Sequence, residues 1–151
     1  MRRKCMIIGI VLILAIGIIS ILYSSTTIGA VVARELGCAE DNLKIKSIEM
    51  VSEDNEPTIK SISAKNVEYA QLNATLYSTK IRYKKLETGI DVGNGLYTIA
   101  VTSEEENNPQ ILTISVTEDG RVHINSSEKT YTIVNDSKIY ELAKKAYDNC
   151  K

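Results

Sequence analysis

The only histidine in the chain is His123, and general acid–base chemistry most often depends on such a side chain. A histidine works as a base when a nucleophile and an orienting carboxylate accompany it. No Gly-x-Ser-x-Gly elbow or phosphate-binding loop is present, so the chain carries no nucleophile motif or phosphate cradle. His123 lies in "RVHIN", which alternates like a strand, and reads as a packed or surface residue of a sheet. No residue is assigned a catalytic role, and the chain reads as a non-enzyme.

Three cysteines, Cys5, Cys38 and Cys150, are separated by long gaps and lack the paired spacing of a zinc site. The run "EEENN" at 104–108, with Asp91 and "GNG" at 93–95, offers oxygen ligands. Its spacing matches no ordered calcium loop, so it reads as a solvated turn and no cofactor or metal is expected. Lys80, Arg82 and Lys84 alternate on one face of a possible strand, with Lys85 beside them. Such a row could meet anionic lipid headgroups or cell-wall polymer, at ~1 kcal/mol per charge. Otherwise it is a solvent-facing strand guarded against edge pairing by lysine. Asn73-Ala74-Thr75, Asn125-Ser126-Ser127 and Asn135-Asp136-Ser137 match the glycosylation acceptor pattern, which has meaning only in a cell with that pathway.

These groups need a compartment, and the amino terminus speaks to it. Arg2, Arg3 and Lys4 precede an uncharged run from Cys5 to Thr27. Positive charge before a first apolar segment is retained on the cytoplasmic side, which sends the rest outward. The apolar stretch Met6–Tyr23 spans roughly 27 Å as a helix, close to a hydrocarbon core of about 30 Å. It exceeds the usual core of a cleaved signal, about 7–15 residues. The small-residue window Thr27-Ile28-Gly29 is a poor cleavage site, because cutting there removes the start of the next helix. Length and weak cleavage favour a retained anchor over residues 1–23, with 24–151 as one domain outside the cytoplasm. A secreted domain after signal cleavage is the alternative. Beyond the three basic residues of the anchor, 15 Lys and Arg stand against 19 Asp and Glu, a net of −4. That balance argues against nucleic acid as partner, since phosphate binding needs a concentrated basic surface.

The domain reads as α+β. Thr27–Leu36 has Ile28, Val31, Val32 and Leu36 at helical spacing, with Gly37 as the stop. It reads either as a short helix or as an outward continuation of the membrane helix. "LKIKSIEMVS" (43–52) is a strand, "EDNEP" a turn and "TIKSISA" (58–64) a returning strand. Residues 66–86 read two ways. As a helix, Val67, Ala70, Ala74, Tyr77 and Ile81 form a stripe; as a strand, Thr75, Tyr77, Thr79, Ile81 and Tyr83 alternate with Leu76, Ser78, Lys80, Arg82 and Lys84. The β-branched and aromatic content from Thr75 onward favours the strand. "GLYTIAVTS", "QILTISVT", the "EDG" turn, "RVHIN" and "TYTIV" then make successive strands. A last helix, capped by Asn135-Asp136-Ser137, puts Ile139, Leu142, Ala143, Ala146 and Cys150 on one face. The expectation is an antiparallel sheet of five or six strands, with one helix before it and one after.

If both helices pack on the same sheet face, Cys38 and Cys150 could approach within disulfide range, Cα atoms about 4.4–6.8 Å apart. An oxidising exterior would preserve such a bond. It would close a loop of about 110 residues, worth roughly 4.7 kcal/mol in the chain-entropy model. Two separate thiols are the alternative, and Cys5 on the cytoplasmic side joins neither.

Two stretches, "VVARELGCAEDNLKIKSIEMVSED" and "LYTIAVTSEEENNPQILTISVTEDGRVHI", together resemble the small exported PepSY-type domains. Those domains pair a short helix ending in Gly with an edge strand, then a hairpin whose last turn reads roughly Asp-x-x-Gly-x-Val. Thr117-Glu118-Asp119-Gly120-Arg121-Val122 is the matching segment here. The resemblance covers about half of the part beyond the apolar run and leaves out the final helix. It implies a secreted or membrane-anchored protein that binds or restrains peptidases or serves as an envelope module. With the anchor, the expected function is a non-catalytic binding module at the cell envelope, engaging a protein or peptide. The competing class is a structural subunit of a membrane complex, contacting its partner through the anchor helix, where Gly9 and Gly17 share a face.

Overall fold

The computed structural model describes Ile13 and residues 25–52, 55–62, 67–84, 95–103, 110–125 and 129–150. Apart from Ile13, the proposed anchor lies outside these residues, as do Cys5, Lys85, Asp91 and the 104–108 run. No helix among the described residues is long and apolar enough to cross a membrane.

The described chain is α+β, with three helices and one antiparallel sheet of eight strands. The strands are β1 (Thr26–Thr27), β2 (Leu43–Ser52), β3 (Asn55–Ser61), β4 (Lys80–Lys84), β5 (Leu96–Ser103), β6 (Ile111–Thr117), β7 (Arg121–Ile124) and β8 (Lys129–Ile133). The helices are α1 (Ile28–Leu36), α2 (Val67–Ser78) and α3 (Ile139–Asn149). Strand order is β1-β4-β8-β7-β6-β5-β2-β3. Strands β5 to β8 thus form a continuous meander, β2 and β3 extend it on one side, and β4 and β1 on the other.

The sequence rules hold best at α1. The Thr27 side chain accepts a hydrogen bond from the Ala30 amide at 3.1 Å, a cap that contributes about 1 kcal/mol. The helix ends at Gly37, whose φ of 67° is left-handed, and the Cys38 amide reaches back to the Ala33 carbonyl at 3.0 Å. That closure is the Schellman geometry, which favours glycine at this position. The chain before the cap belongs to β1, so α1 starts afresh at Thr27 and does not continue a preceding helix.

The expectation fails in three places. The sheet has eight strands, not five or six, and the two-residue β1 has no readable period. Asn55, Glu56 and Pro57 belong to β3 and not to a turn; the register shifts between Met50 and Ser52 opposite them. An edge strand with an irregular register is where a proline is tolerated. Above all, Thr75–Ser78 is helical and the strand begins only at Lys80. The buried residues of α2 are Tyr69, Leu72 and Leu76, while Val67 is 74% exposed. A stripe of large side chains at 3-4 spacing outweighs the β-branched residues around it. The final helix matches, with Ile139, Ala143, Ala146 and Cys150 buried.

One core fills the space between the helices and one sheet face. Ile48 of β2, Ile99 of β5, Ile114 of β6, Val122 and Ile124 of β7 and Ile81 of β4 are wholly buried there. Helix α2 packs against both α1 and α3. At its end, Thr79 joins the three helices. Its carbonyl accepts from the Ile28 amide at 3.0 Å, its hydroxyl donates to the Thr75 carbonyl, and that hydroxyl lies 2.6 Å from Ser137 Oγ. Ser137 Oγ in turn accepts from the Ile139 amide at the start of α3. The N-cap is Lys138, which makes no side-chain cap bond, so the expected cap triplet reaches the helix only through Ser137.

Helix α3 is held over the sheet by tyrosines. Tyr97 of β5 meets Tyr140 and Tyr147 at centroid distances of 5.3 and 5.8 Å. The Lys60 ammonium lies 4.4 Å from the Tyr147 ring centre and donates to the Tyr147 carbonyl. Burial, then Tyr140, Asp148 and Tyr147, pushes the Tyr97 phenol up to about 12 from 10.0. The fold therefore holds the neutral phenol. Its contribution is intact below about pH 10 and is lost as pH rises through about 12, a loss on the order of 2–3 kcal/mol. Urea unfolding at pH 8, 10 and 11.5 checks this. Tyr97→Phe keeps the packing without the titration and should lose less stability over that range; parallel losses in the two proteins would contradict it.

Candidate functional site

Among the described residues no helix packs on the second face of the sheet, which carries the polar row, although Leu96, Thr102 and Thr117 on it are buried. Along β5, buried Tyr97, Ile99 and Val101 alternate with Thr98 and Ala100; along β6, Ile114 and Val116 alternate with Thr113 and Ser115. The period of two sends one set to the core and the other to the open face. Cross-strand register then lines up residues far apart in sequence. Ile59, Glu49, Thr98, Ser115, His123, Thr130 and Lys84 face one another in turn across β3, β2, β5, β6, β7, β8 and β4. The row runs from an acidic residue near one border to a basic one near the other. With strands about 4.8 Å apart, Glu49 and Lys84 stand roughly 24 Å from each other.

A second row crosses the basic end, where Thr132 faces Arg82 on one side and Arg121 on the other. Arg82 and Arg121 thus flank Thr132, and Lys84 and His123 flank Thr130. Lys80 shares the alternation of Arg82 and Lys84, at the point where Thr27 pairs with β4. The residues singled out in sequence, Lys80, Arg82 and Lys84, do lie on one face. Arg121, Thr130 and Thr132 join them only through register, which sequence alone does not reveal.

Arg121 is engaged locally. Its Nε donates to Asp119 Oδ2 at 2.7 Å, and its amide donates to the Thr117 hydroxyl at 3.0 Å. Gly120, at a φ of 79°, lets the "EDG" turn close. Burial pushes the Asp119 carboxyl up, but hydrogen bonds from Thr117 and the charge of Arg121 outweigh it and hold it below the usual carboxylate range. The Asp-x-x-Gly-x-Val likeness therefore marks a self-contained turn.

His123 is half-buried, and its Nδ1 has no hydrogen-bond partner among the described residues. Ser115 sits directly opposite it, but the Ser115 hydroxyl lies 3.0 Å from Thr98 Oγ1. The hydroxyl is thus tied to a threonine and not held by a base, unlike an activated nucleophile. The row of hydroxyls and one imidazole can instead exchange hydrogen bonds with an extended polar ligand. Ile59 and Ile111, 66% and 61% exposed, lie on the same face near its borders and add apolar contact area.

Cys38 and Cys150, the candidate disulfide, are thiols in the fold. Helix α2 packs on both α1 and α3 and lies between the helices whose ends carry them. Cys150 is buried in the core and Cys38 packs against its margin. Among the described residues, no three His, Cys, Asp or Glu side chains converge to hold a metal. Of the acceptor triplets, Asn73 lies within α2 with its Oδ1 buried, and Asn135 Oδ1 accepts from the Lys80 amide at 2.8 Å. Strand β2, an edge strand in the PepSY-type pattern, lies here between β3 and β5. No family model, curated protein or solved structure matches the chain.

Proposed function

We propose that the protein is a membrane-anchored, non-catalytic binding module outside the cytoplasm, which engages a protein or peptide partner through the open sheet face. The observation that carries this reading is the polar row from Glu49 to Lys84, bordered by exposed Ile59 and Ile111. A rigid sheet presents hydrogen-bonding groups at fixed spacing, and apolar residues near its borders add contact area. The mixture of apolar contact and hydrogen-bonding groups resembles a recognition surface. The Thr98–Ser115 pairing favours binding over acyl transfer, and the uncharged run Cys5–Thr27 favours a tethered domain. The likeness of the Gly37 stop and the Thr117–Val122 turn to PepSY-type domains points the same way.

The test is site-specific photo-crosslinking of the full-length chain in its native membrane. A photoreactive residue at Ser115 should give one discrete adduct, and the same residue at exposed Lys144 on α3 should not. No adduct from Ser115, or an identical adduct from both positions, would overturn the assignment to this face.

A further inference from the structure

The pairing of β1 with β4 places the basic strand beside the point where the chain leaves the apolar run. The uncharged segment Met6–Tyr23 is followed by Ser24 and Ser25. Thr26 and Thr27 are already in register with Ile81 and Lys80. Three Cα steps separate Tyr23 from Thr26, and whatever path they take, they reach at most about 11 Å. That is close to the Debye length of about 8 Å at physiological salt. Strands β1, β4 and β8, "TT", "KIRYK" and "KTYTI", hold four basic residues and no acidic one. The part of the chain beyond the apolar run carries a net of −4, so this end of the sheet opposes the charge of the rest.

We propose that strand β4 docks on the membrane to which the chain is tethered, with Lys80, Arg82 and Lys84 contacting anionic lipid headgroups. The inference rests on the anchored reading given above and adds an orientation to it. Contact at the β4 border leaves the Glu49 and Ile59 end of the open face directed away from the lipid and accessible to a partner. The acidic remainder of the domain is repelled by the same surface. Each cation near an anionic membrane strengthens association roughly fivefold, and three together on the order of a hundredfold.

The experiment uses the full chain reconstituted in vesicles of phosphatidylcholine with and without 30% phosphatidylglycerol. A fluorescent amino acid replaces Val134, which is 40% exposed and whose amide donates to the Lys80 carbonyl. A second protein carries it at Lys144. Quenching by headgroup-labelled lipid should be strong at 134 in the anionic vesicles and weak at 144. At 1 M salt, where the Debye length falls to about 3 Å, the signal at 134 should drop to the level seen without phosphatidylglycerol. The triple substitution Lys80→Gln, Arg82→Gln, Lys84→Gln should do the same while the chain still floats with vesicles after a salt wash. Floating protein with no quenching at 134 overturns the docking and spares the anchor. Protein that fails to float after the wash overturns the anchor and the docking with it.

Discussion

Leu72→Ala is expected to lower the free energy of unfolding by about 3–5 kcal/mol, a large share of the 5–15 kcal/mol typical of a domain. Leu72 is wholly buried and is the central residue of the Tyr69, Leu72, Leu76 stripe by which α2 meets the core. The rest of that helix gives little support. Ala70, Gln71 and Ala74 are exposed, and Asn73 and Thr75 are only half-buried, so no other large apolar group on α2 can move into the cavity. Truncation removes the transfer energy of the lost methyl groups and leaves a void that the neighbouring helices α1 and α3 cannot collapse around. Urea unfolding reads the result as a lower midpoint with an unchanged slope. A loss below about 1 kcal/mol would mean that Leu72 faces solvent, and would remove the basis for reading 67–78 as a packed helix.

The second large effect is expected at Gly29, on the first turn of α1. A Cβ there would lie 2.6 Å from Tyr77 Cδ1, 2.9 Å from Glu40 Oε2 and 3.1 Å from Tyr77 Cα. Glu40 ends in a flexible side chain and can move. Tyr77 is less free, because its hydroxyl donates to the Leu43 carbonyl at 2.8 Å and its Cα is backbone. Gly29→Ala should therefore cost about 1–3 kcal/mol and Gly29→Val about 3 kcal/mol or more, by forcing α1 away from the end of α2. The sign is informative. Alanine is favoured over glycine within a helix by about 1 kcal/mol, so a stabilised Gly29→Ala protein would show that the two helices are not in close contact. Thermal unfolding of the two variants decides it, with the valine protein melting well below the alanine protein.

Both sites show why some of this fold is legible in sequence and some is not. The α1 boundaries follow from local chemistry, a hydroxyl cap at Thr27 and a left-handed glycine at 37, and both are visible in a single stretch. The meander from β5 to β8 is equally local, with alternation and a tight "EDG" turn. Helix α2 is different. Thr75, Tyr77 and Thr79 alternate as a strand would, and only the burial of Leu72 and Leu76 against a sheet formed by distant residues decides for the helix. Strand β1 exists only because β4 offers it a partner some fifty residues later. The same limit applies to the open face. The alternation of Lys80, Arg82 and Lys84 is written in one strand. Their alignment with Arg121 and His123 depends on register through β8, and register across non-consecutive strands is a property of the assembled sheet.

Both borders of that sheet come from one stretch of chain, β1 at one side and β3 at the other, with α1 and β2 between them in sequence. Thr26–Ser61 is thus a bivalent ligand for the remainder of the domain. When β1 frays from β4, the buried α1 and the β2–β5 pairing keep it close, and the converse holds for β3. Each attachment is held at a high effective concentration by the other, so the segment as a whole binds with an avidity that neither border has alone. A two-residue strand can therefore persist at a sheet edge because its return is intramolecular.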